Sequence, residues 1–127
     1  MKYLCLLWFD GTKLDVMPKA EKDEVDRNSL DHDRELERNG HLIMAQALQS
    51  PAAAVTVRVR NGKASTTDGP FIETKEHLGG FILIEAKDMD EAVRLAAEIP
   101  LAKIGLASVE VRPIYIVDYP AATAAGA

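Results

Sequence analysis

Asp68, Glu73, Lys75 and Glu76 crowd one corner of the chain, in the run TTDGPFIETKEHLGGFILIEA over residues 66–86. Asp68 precedes Gly69-Pro70. A carboxylate there can accept backbone N–H bonds in an Asx-type turn, while Gly69 tolerates unusual dihedrals and Pro70 fixes φ. The same rigid corner could hold the carboxylate at a pocket mouth, where burial tunes it for proton transfer. His32 is the natural partner to consider. Its imidazole titrates near neutral pH, and a carboxylate can fix its tautomer and stabilise its cation. His32 and Asp68 are therefore the candidate acid–base pair, against a plainer reading of a turn-builder and a helix-edge histidine.

Three further residues are candidates for binding a substrate. Ser29 lies one helical turn before His32 and can offer a hydroxyl to a polar group. Glu85 alternates with Phe81 and Leu83, so a carboxylate shares a strand face with large apolar groups. Arg112, near the end of the chain's last strand, is its expected counter-charge. His41 and His77 sit at element ends and read as surface residues. Glu73, Lys75 and Glu76 read as a solvated loop with local ion pairs, which are individually weak.

Several chemistries find no support. The three histidines lack tight ligand spacing and the single cysteine cannot build a zinc site, so no metal is expected. There is no P-loop, no dinucleotide fingerprint and no Gly-x-Ser-x-Gly elbow, so no cofactor is expected. Cys5, on an apolar strand, reads as a small buried hydrophobe.

These residues must be positioned by one small domain. The 127 residues suit a single core, with 47% hydrophobic and 28% charged residues. A net charge of −5 and a pI near 5.2 argue against nucleic-acid binding. No apolar run approaches the roughly 20 residues of a membrane helix, and the apolar start is too short for a signal peptide. A cytoplasmic protein is expected.

Residues 2–9 alternate, with Tyr3, Cys5, Leu7 and Phe9 facing one way and Leu4, Leu6 and Trp8 the other. Both faces are apolar, so both need cover, and the second calls for another subunit. Residues 10–17 read as a connection. Pro18 opens a long helix that Gly40 closes. Val25, Ser29, His32 and Leu36 share its inner stripe by 4,3,4 spacing, which puts a hydroxyl and an imidazole where apolar groups belong. A strand over residues 41–49 follows, then an amphipathic strand at 55–60, with Asn61-Gly62 turning it into a hairpin ending at residue 67. Gly80 to Ala86 forms another apolar strand, and Gly79-Gly80 permits a bulge or a close backbone approach. Asp88 N-caps a helix, with Glu91 completing a capping box, and Pro100 ends it. Val109 to Arg112 leads through Pro113 into a last strand reaching Val117. Residues 1–117 form the domain and residues 118–127 a disordered tail. The order is that of a ferredoxin-like α+β fold of βαββαβ type, two helices over one face of an antiparallel sheet.

The stretch TDGPFIETKEHLGGFILIEAKDMDEAVRLAAEIP, with TVRVRNGK before it and SVEVRPI after it, closely resembles the DGPF proteins, a branch of the YCII-related family. The likeness runs from Met1 to about Ile116. It implies a ferredoxin-like domain paired into a dimeric α/β barrel, and hence a homodimer. For function it implies a His/Asp pair of the kind taken as an active site in YCII-type proteins, and one relative is a dehydrochlorinase of chlorinated hydroxyhydroquinone. DGPF proteins are also often encoded beside extracytoplasmic-function sigma factors. Two readings stay open: a small-molecule-binding enzyme using His/Asp acid–base chemistry for elimination, isomerisation or hydrolysis, and a non-catalytic regulatory protein associated with a sigma factor. Substrate and reaction are not legible.

Overall fold

The structure, a computed structural model, describes residues 1–115. The expected tail and the last residues of the expected final strand lie outside them. Strand β1 spans Lys2–Asp10, followed by helices α1 (Gly11–Asp15) and α2 (Lys19–Arg38) and strand β2 (Leu42–Ala47). A 3-10 turn at Pro51–Ala53 leads to the hairpin of β3 (Val55–Arg60) and β4 (Lys63–Asp68). Then come β5 (Glu76–Glu85), α3 (Met89–Ala97), α4 (Pro100–Lys103) and β6 (Ala107–Pro113). The main sheet has the order β2-β5-β1-β6, with every neighbouring pair antiparallel, and the hairpin forms a separate two-stranded sheet.

The alternation of β1 decides where the core sits. Tyr3, Cys5 and Leu7 are buried, together with Ile82 and Ile84 of β5. Leu36 of α2, Ala92 and Ala96 of α3 and Ile99 complete this core on the helix side of the sheet. Leu4, Leu6 and Trp8 point the other way and are half-buried, while the core residues of α2 and α3 pack with Tyr3, Cys5 and Leu7. Leu83 and Phe81 oppose Leu4 and Leu6 across the β1–β5 ladder, and Met44 opposes Leu83 from β2. The result is an apolar outer face that stays partly in solvent.

Local signals set most boundaries. Gly40 closes α2 at φ +77°, with Gly40 N–H donating to the Glu37 carbonyl at 3.1 Å and His41 N–H to the Leu36 carbonyl at 2.8 Å. These are the two bonds of a Schellman cap. Asn61 and Gly62 have φ of 52° and 75°, the paired positive values of a two-residue hairpin turn. Asp88 caps α3 by accepting from Glu91 N–H at 2.9 Å, and Glu91 returns the bond to Lys87 N–H, one residue before the cap.

Three elements differ from expectation. Residues 11–15 are helical rather than a plain connection, because Asp10 accepts from both Thr12 N–H and Thr12 Oγ1 and so caps the helix. Pro100 does not simply end a helix but opens α4, the first-turn position where its missing N–H costs nothing. The final strand ends at Pro113 instead of beginning after it, since β6 is an edge strand and Pro113 closes its ladder against Tyr3.

The glycine pair is a bulge. Leu7 opposes Gly80 and Trp8 opposes Leu78, so Gly79 is the extra residue. A Cβ at Gly79 would stand 1.8 Å from Phe9 Cζ, and one at Gly80 would stand 2.9 Å from the Gln46 carbonyl oxygen. The Phe9 ring lies down on the β5 backbone because Gly79 leaves the room.

Candidate functional site

Helix α2 carries few apolar residues, and its inner stripe does not close against the sheet. A cavity of about 420 Å³ remains between them. Its floor is apolar: Leu7 and Phe9 from β1, Ala45 and Ala47 from β2, Ile82 from β5. Leu14, Met17, Ile99 and Leu101 also line it. Its wall on α2 is mostly polar, formed by Lys22, Asp26, Ser29, His32 and Asp33 beside Val25. An apolar chamber of this size with a few convergent polar groups is the usual form of a small-molecule site.

His32 is the distinctive residue of that wall. Its Nδ1 is buried and has no hydrogen-bond partner among the described residues. Burial pushes the imidazole below its ordinary range, while Asp33, Glu35 and Glu98 pull it upward and Lys103 pushes it down. Burial also pushes the Asp33 carboxyl above its ordinary range, against the pull of His32. Two titratable groups with perturbed protonation thus face one chamber, the usual setting for proton transfer.

The predicted residues divide. Ser29 and His32 line the cavity together, as their spacing on α2 required. Asp68 does not line it: it ends β4 opposite Val55, with its side chain exposed. The corner after Asp68 is tied to the hairpin, with Gly69 N–H donating to the Ala54 carbonyl at 2.7 Å and Thr56 Oγ1 to the Gly69 carbonyl at 2.9 Å. Glu85 and Arg112 are not each other's counter-charges. Glu85 accepts from the Met1 amino group at 3.2 Å, and Arg112 pairs with Glu110, whose other oxygen accepts from Trp8 Nε1–H at 3.0 Å. Both sit at strand positions on or beside the outer face, away from the α2 cavity.

Three other expectations are revised. Lys75 is not confined to a local ion pair, because its Nζ reaches the buried carboxylate of Asp10 at 3.7 Å. The two bonds from Thr12, with Lys75 beside them, hold Asp10 below the usual carboxylate range. His41 is tied in through Nδ1–H to the Glu85 carbonyl at 2.8 Å. His77 is half-buried edge-on to Phe9, with ring centroids 5.0 Å apart.

Sequence reasoning missed Asp33, Lys22 and Asp26. The signal was present: Lys22, Asp26, Ser29 and Asp33 follow one another at helical spacing along the flank of the Val25–His32 stripe. What it lacked was knowledge that the stripe borders a void. Among the described residues no group of three or more His, Cys, Asp or Glu side chains is placed to hold a metal ion. Cys5 is buried, and burial pushes its thiol up to about 11, so it is unreactive at neutral pH. No helix among the described residues is long and apolar enough to cross a membrane.

Fold and site together define a small α+β domain with a chamber between helix and antiparallel sheet. The chain belongs to the YCII-related domain family, whose model matches residues 1–115. It is 35% identical over 114 residues to an uncharacterized protein of Rhizobium meliloti (strain 1021), covering 90% of this chain and 92% of that one. Its fold is similar to that of 5-chloro-2-hydroxyhydroquinone dehydrochlorinase from Burkholderia phenoliruptrix AC1100, solved in complex with 2,5-dihydroxybenzoquinone. That match has a TM-score of 0.55 and 17% identity, and covers 91% of this chain and 94% of the other.

Proposed function

We propose that this YCII-related protein is a small-molecule enzyme that works by proton transfer in the cavity beneath α2, with His32 as its acid–base group. The observation that carries this reading is the buried, unpartnered Nδ1 of His32 in the polar wall of a chamber whose floor is apolar. Leaving a buried polar atom without a partner costs roughly 1–3 kcal/mol, so a ligand that supplied one would recover that stabilisation. A neutral imidazole in a low-dielectric chamber is suited to remove a proton from carbon or oxygen and to return it to a leaving group or neighbouring atom.

In this reading Ser29 orients a polar substituent, the apolar floor holds a small flat body, and Asp33 is the carboxylate nearest the imidazole. Elimination, isomerisation and hydrolysis all need this minimum equipment. Elimination is favoured by the fold likeness to a dehydrochlorinase, and a hydroxylated ring compound is the substrate class to test first. The domain is assigned a ferredoxin-like topology, and two copies pair through the outer sheet face into a dimeric α/β barrel, giving Leu4, Leu6 and Trp8 the cover they lack. Asp68 then acts only if the hairpin of one copy reaches the cavity of the other. Glu85 and Arg112 do not line this cavity, so the reading gives them no part in it.

The test is a panel of small hydroxylated and halogenated ring compounds, with binding and turnover measured for the wild type, His32→Ala and Ser29→Ala. Removing a general acid–base group lowers turnover about 10²- to 10⁴-fold. The reading fails if His32→Ala binds and turns over every substrate as the wild type does.

A further inference from the structure

The β3–β4 hairpin stands apart from the core. Among the described residues its two strands pack extensively only on each other. A lone two-stranded hairpin is marginally stable in water, so it needs a surface to lie against. Its faces differ. Val55, Val57 and Val59 share one face with Ala64, Thr66 and, at the foot, Asp68, and each valine is more than half exposed. Thr56, Arg58, Arg60 and Lys63 lie on the other face. That second face is the one turned to the chain's own corner. Thr56 Oγ1 donates to the Gly69 carbonyl at 2.9 Å, and the Arg58 guanidinium sits over the Phe71 ring at 5.0 Å. The valines are thereby turned away from that corner.

At the foot of the hairpin lies an open groove of about 920 Å³. Trp8 and Leu78, opposed on the outer sheet face, line it together with Pro51, Ala53, Phe71 and Ile72. No Asp, Glu, Lys or Arg is among its lining residues, so it suits an uncharged surface.

We infer that this groove receives the hairpin of a second copy: each copy's valine face lies in the other's groove, and the pair is clasped by exchanged arms. This rests on the pairing of outer sheet faces proposed above and extends it. The chain's own hairpin is a poor occupant, because turning its valines inward would break the Thr56–Gly69 and Arg58–Phe71 contacts. A second copy brings the groove next to an arm, since Trp8 and Leu78 belong to both the groove and the outer face. Area points the same way. A standard interface hides roughly 800 Å² per partner, yet Leu4, Leu6, Trp8, Phe81 and Leu83 are already half-buried. Val55, Val57, Val59, Phe71 and Ile72 each keep more than half of their surface to contribute. Charge agrees as well: Arg58, Arg60 and Lys63 belong to a chain of net charge −5, so a second copy attracts the arm.

The test measures pairing of the full chain by light scattering across a dilution series. Val57→Lys puts a charge on the arm and Ala53→Arg puts one in the groove, both at exposed positions outside the helix-side core. Each is expected to weaken pairing about tenfold or more with an unchanged far-UV spectrum, since a two-fold contact carries every change twice. Cys5 is buried, so introduced cysteines are the ones that react. Chains carrying Val57→Cys, mixed with size-tagged chains carrying Ala53→Cys, are expected to be joined to each other by a short bismaleimide. Links that form only when both changes are in one chain place the arm in its own groove and overturn the exchange. Pairing that both charged variants leave unweakened overturns it too, and a wild-type monomer overturns it together with the pairing it rests on. Leu6→Glu, which strikes the outer face alone, separates loss of the exchange from loss of that pairing.

Discussion

At the scale of single residues, the perturbed protonation of His32 has a consequence for stability. Burial lowers its folded pKa, whereas the unfolded ring titrates near 6.5. Below that value the unfolded chain binds more protons than the folded one, so stability falls as pH drops from 6.5 through the folded value. Urea denaturation between pH 8 and pH 5 is expected to show this loss, and His32→Gln is expected to flatten it. Asp33 acts in the opposite sense, since its raised carboxyl pKa favours the folded state below the ordinary value of 3.8 and loses that contribution as pH rises through the folded value. Asp33→Asn is therefore expected to raise stability at pH 7, read as a higher urea midpoint. Neither effect was visible in the sequence. The spacing that put Ser29 and His32 on one stripe was legible, because it depends only on helical period. The emptiness beneath that stripe was not, because it depends on how far α2 stands from the sheet.

At the scale of elements, the β5 bulge links fold to site. Gly79 lets Phe9 lie against the backbone, and Phe9 is part of the chamber floor. Gly79→Ala must displace the ring, and overpacking of this kind costs about 1–3 kcal/mol. Chemical denaturation is expected to show that loss, and Gly79→Ala is expected to cost less in a Phe9→Ala background, because the clash then has no partner. Asp88→Ala is expected to cost about 1 kcal/mol by removing the α3 cap, with no effect on the chamber. Elements written in local code were legible: the alternation of β1, Pro18 and Gly40 around α2, Asn61-Gly62, and Asp88 with Glu91. The failures came from single residues whose meaning is tertiary. Asp10 caps a short helix and receives Lys75 from a corner 65 positions away in sequence, which no local pattern announces.

At the scale of the molecule, the outer face of the sheet is the main unsatisfied feature. Leu4, Leu6, Phe81, Leu83 and Met44 present a continuous apolar surface, with the Trp8–Glu110–Arg112 group at its β6 side. The hairpin adds exposed Val55, Val57 and Val59, and Phe71 stands beyond it under the Arg58 guanidinium at 5.0 Å. A contiguous apolar face is the kind of surface through which proteins pair. A homodimer through this face is expected in light scattering at micromolar concentration, and Leu6→Glu is expected to yield monomer without unfolding the helix-side core. A wild-type monomer would leave the dimeric barrel without support. The apolar character of both β1 faces was legible, since that follows from strand geometry alone.

The most direct test of the whole reading is a titration of ¹⁵N-labelled protein with small hydroxylated ring compounds, following the His32 ring nitrogens together with the amides of Leu7, Ala45 and Ile82. A site beneath α2 predicts that these signals move along one saturating curve and that His32→Ala abolishes or greatly weakens it. Compounds that bind while leaving His32 and the chamber floor unmoved would contradict it.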